Sequence, residues 1–315
     1  MHITNHKKII ARWLFIGVGM LIIQVLLGGI TRLSGSGLSI TEWGPVMGTL
    51  PPVSNEEWLA AFDKYKQIAQ YKYLNNHFTL SDFKFIFFWE WFHRLWARLM
   101  GLVFFFPFIY FLLKKWFDKQ MILPLVALFI LGGLQGFIGW IMVKSGLNEE
   151  NLYVNHIRLA IHFMAAMLLV GYTWLFSLSL ITNDKDKLNV PSLKNHAAVI
   201  FILLCIQLIY GAFMAGLKAA GAAPTWPDIN GEIIPSGIFT HFFDAALHHT
   251  LAVHFIHRTL AYIIFILIVC WWLKARKQKA SIIFNRYKNY VAVFVVLQVL
   301  LGVVTVITSP YIVPG

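Results

Sequence analysis

Three histidines, His93, His162 and His257, lie inside long apolar runs of this chain, about eight, five and six residues from one end of their runs. An imidazole in hydrocarbon is costly unless it binds something. A single one would be read as an interhelical hydrogen bond, but three at one depth point to ligation. Two of them share a local pattern, His93-Arg94 in EWFHR and His257-Arg258 in HFIHR. Glu90 precedes His93 by three residues, so on a helix the carboxylate lies about one turn away on nearly the same face. The matching position of the second pattern is His254. A carboxylate at that depth is a functional candidate by default: it can move a proton or stabilise positive charge. The competing role is an ion pair with Arg94, four residues on.

The elements that carry these residues follow from composition. Of 315 residues, 58% are hydrophobic and 13% charged, which excludes an ordinary soluble domain and predicts an all-α polytopic membrane protein. Runs long enough to span ~30 Å of hydrocarbon as helix lie at about 13–31, 85–113, 121–143, 157–181, 197–217, 251–273 and 289–308. Inside them a figure recurs four times: Gln24-x-x-x-Gly28, Gln135-x-x-x-Gly139, Gln207-x-x-x-Gly211 and Gln298-x-x-x-Gly302. Gln135 follows His93 by 42 residues and Gln298 follows His257 by 41, so the chain reads as a duplicated unit with two related sites. The expected halves are 1–182 with four runs and 183–315 with three, an odd total for a duplicated unit.

The formal charge of +12 raises nucleic acid as a partner, but its distribution excludes it. Fifteen of the 26 basic residues flank the runs on one side. By the positive-inside bias the amino terminus is cytoplasmic, and the loops 32–84, 144–156 and 218–250 face outward. No cleavable signal or transit segment precedes the first run, which favours a bacterial inner (plasma) membrane. Cys205 and Cys270 have no partners spaced for a metal or redox motif and are expected to be small buried apolar residues. In the first outer loop, Trp58, Phe62, Tyr65, Ile68 and Ala69 approximate one face of a helix from Glu56 to Tyr73 lying over the bundle mouth. The third outer loop carries His241, His248 and His249 before the next run.

What the histidines bind is constrained by number and spacing. Zinc wants three or four ligands converging at ~2 Å, and no run supplies a close His pair. Haem needs one imidazole from each of two facing helices and a large apolar pocket. His93 and His162 satisfy this among Phe, Trp and Leu. Arg94, Arg98, Arg158 and Arg258 are spaced where cations could meet propionates, with interfacial snorkelling as the alternative.

The segments GGITRLSGSGLSITEW, GPVMGTLPP, FKFIFFWEWFHRLWARLMG, LGGLQGFIGWIMVKSGL, VNHIRLAIHFMAA and HFIHRTLAY resemble the haem A synthases of the proteobacterial and mitochondrial kind, over nearly the whole chain. The resemblance implies an eight-helix bundle of two four-helix halves that oxidises the C8 methyl of haem O to the formyl group of haem A, an oxidoreductase acting in successive hydroxylations. It implies His93 and His162 as the substrate-haem pair, Glu90 as the acid beside it, and His257 as an iron ligand of a haem b cofactor. Arg94 and Arg258 are the expected cofactor-binding cations. Implied partners are the farnesyl-adding haem O synthase, terminal oxidase assembly and membrane lipid; homo-oligomer formation stays open. The Gram-positive branch carries a cysteine pair in the first outer loop, which this chain lacks, so thiol-disulfide electron entry there is excluded. An eighth helix, with a histidine near position 325 as partner of His257, is expected beyond Gly315. A dihaem b-type electron-transfer cytochrome and a transporter with paired repeats are the rival readings.

Overall fold

The computed structural model describes residues 5–42, 50–183, 188–238 and 242–308, and the described residues form ten α-helices. Seven are long and apolar enough to cross a membrane: α1 (Asn5–Leu33), α4 (Leu80–Leu113), α5 (Lys119–Lys144), α6 (His156–Ile181), α7 (Pro191–Gly216), α9 (Thr250–Ala275) and α10 (Ile282–Thr308). The short helices α2 (Asn55–Tyr65), α3 (Ala69–Tyr73) and α8 (Phe242–His248) lie in the connections. Large apolar side chains such as Ile16, Leu168, Phe201 and Leu301 are exposed along the spans. That is the surface a lipid environment requires, with backbone polar groups paired within the helices. The chain is an all-α polytopic membrane protein.

The seven runs appear where the composition puts them, but the helices are longer. α4 starts five residues early because Thr79 and Asp82 form a capping box: Thr79 Oγ1 accepts from the Asp82 N–H, and the Asp82 carboxylate accepts from the Thr79 N–H. α1 starts at Asn5, where Lys7 pairs with Asp118 at 2.8 Å and His6 stacks on Trp116. These anchors act outside the apolar window. Cys270 is exposed on its span and Cys205 only half-buried, so the expectation of two buried cysteines fails; thiols tolerate a lipid-facing position as small apolar groups. His241 and most of the GPVMGTLPP segment lie outside the described residues.

The chain divides into two compact units, Met1–Thr182 and Asn183–Gly315. In the first, α1 packs against α4 and α6, and α6 against α5. The α1–α4 seam is closed by polar bonds as well as apolar packing. Pro107 lies inside α4 and has no N–H to offer the carbonyl of Val103, four residues earlier. Trp13 on α1 supplies the missing donor, its indole N–H bonding Val103 O at 2.9 Å. Farther along, Trp96 donates to Met20 O at 3.0 Å and Gln24 to His93 O at 3.2 Å.

At the amino-terminal end of α4, Leu38, Phe62, Tyr65 and Ile68 close over Phe83, Ile86 and Phe87. The apolar face read from the sequence is the buried one, but the single expected helix is two. Ile68 is extended, and the Ala69 N–H turns away to bond Asn148 O at 3.0 Å. A backbone bond to the loop between α5 and α6 replaces one helical turn. In the second unit α9 is the central element, packed by α7, α8 and α10, with Ile200, Ile264 and Ile268 in its core.

Candidate functional site

The Gln-x-x-x-Gly figure meets the histidines directly. On α1, Gln24 Nε2 lies 3.1 Å from Nε2 and 3.3 Å from Nδ1 of His93, which projects from α4. On α5, Gln135 Nε2 lies 3.3 Å from Nδ1 of His162 on α6, and donates to the His162 carbonyl at 3.0 Å. On α7, Gln207 Nε2 lies 3.4 Å from Nε2 of His257 on α9. The glycine one turn on shares the glutamine's helix face, and it gives the ring room. A Cβ on Gly139 would stand 2.8 Å from His162 Cε1, on Gly28 3.3 Å from His93 Cε1, and on Gly211 3.5 Å from His257 Cε1. Gln298 is exposed among the described residues, and a Cβ on Gly302 would meet nothing within 4 Å.

Glu90 is 3% exposed and fully bonded. One carboxylate oxygen takes the Arg94 guanidinium; the other accepts from Ser39 Oγ at 2.7 Å and the Ile40 N–H at 2.8 Å. Arg94 donates further to the carbonyls of Ile40 and Glu42. The pair therefore fixes the backbone of 39–42 to the helical turn that bears His93. An ion pair this deep stands only because its remaining polar atoms are bonded; removing one partner of such a pair typically costs ~3–5 kcal/mol.

The second unit repeats the design with other chemistry. His254 is buried and lies 3.1 Å through Nε2 from Arg258 Nη2. Arg258 also donates to the carbonyls of Asp228 and Thr225. Each arginine thus ties a connecting loop to the turn carrying a histidine, with Glu90 as its helical partner in one unit and His254 in the other. Bonds from the Gly231 N–H and Thr225 hold the Asp228 carboxyl below its ordinary range. Burial pushes the Tyr65 hydroxyl up to about 12; the Asn75 bond opposes this and the Glu90 carboxylate adds to it. Arg158 donates to Ile141 O at 3.1 Å.

His93 projects from α4 and His162 from α6 of one bundle, both half-buried. Among the described residues no three His, Cys, Asp or Glu side chains converge in a way that could hold a bare metal ion. One imidazole from each of two helices is a donor set of a haem site. Several buried polar atoms also have no protein partner, among them Oε1 of Gln24, Gln135 and Gln207 and Nδ1 of His257. The residues present fit haem in ligand type and in capacity left for it. Sequence reasoning found the histidines, Glu90 and both arginines. It saw the glutamines and glycines only as a repeat marker, although their recurrence opposite each histidine run was the available signal. Ser39 carried none.

Residues 11–313 match the family described as cytochrome oxidase assembly protein. The chain is 41% identical over 311 residues to a protein of Flavobacterium johnsoniae named "Heme A synthase", covering 97% of this chain and 91% of that one. It is 41% identical over 312 residues to the "Heme A synthase" of Rhodospirillum centenum (97% and 82% covered), and 37% over 316 residues to that of Nitrosomonas eutropha (97% and 87%). No solved structure matches.

Proposed function

Because the chain belongs to the cytochrome oxidase assembly protein family, with relatives named haem A synthase over nearly its full length, we propose that it oxidises the C8 methyl of haem O to the formyl group of haem A. As a half-reaction, the change from methyl to alcohol to aldehyde takes up the oxygen of one water and releases four protons and four electrons in two two-electron steps, the electrons passing to an acceptor outside the chain. The observation that carries this reading is the pair His93 and His162, each held by glutamine and glycine of a neighbouring helix, beside a buried carboxylate one turn from His93.

His93 and His162 hold the substrate haem O. Glu90, kept in place by Arg94, Ser39 and Ile40, offers a fixed negative charge to the positive charge that develops at the methyl carbon during oxidation. Helices α2 and α3 cover this end of the bundle and limit water at the site. His257 holds a haem b cofactor, which when bound supplies one-electron redox chemistry at iron. Arg94 and Arg258 fix the loops around the two sites through their backbone carbonyls, and carry the cationic charge expected beside propionates. The chain works in a bacterial inner membrane with its amino terminus in the cytoplasm, and receives haem O from the farnesyl-adding synthase.

Acid-extracted haem from cells making haem O and this chain, resolved by reversed-phase chromatography, tests the reading. Haem A is the expected product; haem b alone would make the chain an electron-transfer cytochrome. Glu90→Ala is expected to retain haem and to accumulate haem O or the alcohol, with haem A falling at least tenfold. An undiminished haem A yield would leave Glu90 only its ion pair with Arg94.

A further inference from the structure

We propose that Gln24 and Gln135 are positioning residues for the two substrate-haem ligands, each fixing the rotation of one imidazole through a two-point clamp on its histidine. The inference rests on the reading of His93 and His162 as iron ligands. A glutamine inside a membrane span is expensive unless its amide is bonded. Here each amide nitrogen donates to the carbonyl of its histidine and lies against the same residue's ring: Gln24 Nε2 is 3.2 Å from the His93 carbonyl oxygen and 3.1 Å from the ring, Gln135 Nε2 3.0 Å from the His162 carbonyl oxygen and 3.3 Å from the ring.

The carbonyl bond decides which way the amide points. Turning it over would set oxygen against oxygen, so the NH2 group stays on the histidine. With the amide on the ring and a glycine beside it, neither side chain is free to swing. Gln207 Nε2 lies 3.4 Å from the His257 ring. An imidazole bound to iron through one nitrogen carries N–H on the other and donates, so the second point of the clamp is the glutamine Oε1, buried without a partner on Gln24, Gln135 and Gln207 and free to accept that N–H. Partners behind a metal-bound histidine typically contribute 10–100-fold to metal affinity.

The test uses the full-length protein purified with the haem it carries. Gln135→Met keeps the side-chain length and removes the donor; His162→Ala removes the ligand. Electron paramagnetic resonance and visible spectra report ligand orientation, and competition with apomyoglobin reports haem retention. Gln135→Met should shift the low-spin signal that His162→Ala abolishes and weaken haem retention about tenfold, while thermal unfolding shows the bundle intact. If His162→Ala abolishes the signal but Gln135→Met leaves position and retention unchanged, the clamp is wrong. If His162→Ala changes nothing, the ligand reading fails and the clamp with it. Should Gln135→Met not fold, Gln24→Met puts the same question at His93.

Discussion

A methyl group added at Gly139 would lie 2.8 Å from His162 Cε1, while those at Gly28 and Gly211 would lie 3.3 and 3.5 Å from their histidines. The first distance is inside van der Waals contact and forces the ring to move; the last is ordinary packing. Substitution by alanine should therefore reduce haem content in the order Gly139, Gly28, Gly211. Gly139→Ala should cost about 1–3 kcal/mol as overpacking, and Gly211→Ala should stay near wild type. Haem-to-protein ratios of the three purified variants check the order, and equal losses would show that the spacing does not govern the rings. The histidines were legible in the sequence because an imidazole in hydrocarbon is conspicuous. Their glutamine and glycine partners were not, since Gln24 and His93 stand 69 residues apart and Gln207 and His257 50. Helical periodicity reports a face but not the helix that it meets.

Among the elements, α4 contains a proline whose missing hydrogen bond is replaced from another helix. Trp13→Phe removes the indole donor to Val103 O and should destabilise the first unit by about 1–3 kcal/mol, the usual penalty for an acceptor left unpaired away from water. Pro107→Ala restores an N–H within α4, so the double variant should recover most of that loss. Thermal unfolding in detergent of the two singles and the double gives the coupling, and strict additivity would mean that the indole bond and the proline are independent. The spans themselves were readable from length and apolarity. Their ends were not, because the Thr79 and Asp82 capping box and the Lys7 pair to Asp118 lie beyond the apolar run. The division of the outer helix at Ile68 was also hidden: it depends on a carbonyl at Asn148, which local sequence does not bring near.

On the scale of the whole molecule, the two units carry the same device with different partners, Glu90 beside His93 and His254 beside His257. If they hold separate haems, His93→Met and His162→Met should change one low-spin component and His257→Met another, with little crossover. Redox-resolved spectra of the three variants separate the components. A common component altered by all three would reduce the two sites to one. The recurring His-Arg and Gln-x-x-x-Gly spacing was legible in the sequence; what each arginine anchors was not, because Arg94 and Arg258 bind backbone carbonyls, which carry no residue type.

The Trp13 bond to Val103 also bears on how the protein is made. Helices emerge in order, and α1 enters the bilayer with an indole N–H and the Gln24 amide whose partners are on α4, about seventy to ninety residues later. α4 in turn arrives with a carbonyl that its own backbone leaves open. Each helix carries what the other lacks, so the expected first docking event is α1 with α4, before α5 and α6 join. Nascent chains arrested after Lys114 should already form a cross-link between cysteines placed at Trp13 neighbours and at Val103 neighbours; a cross-link that waits for α6 would reverse the order.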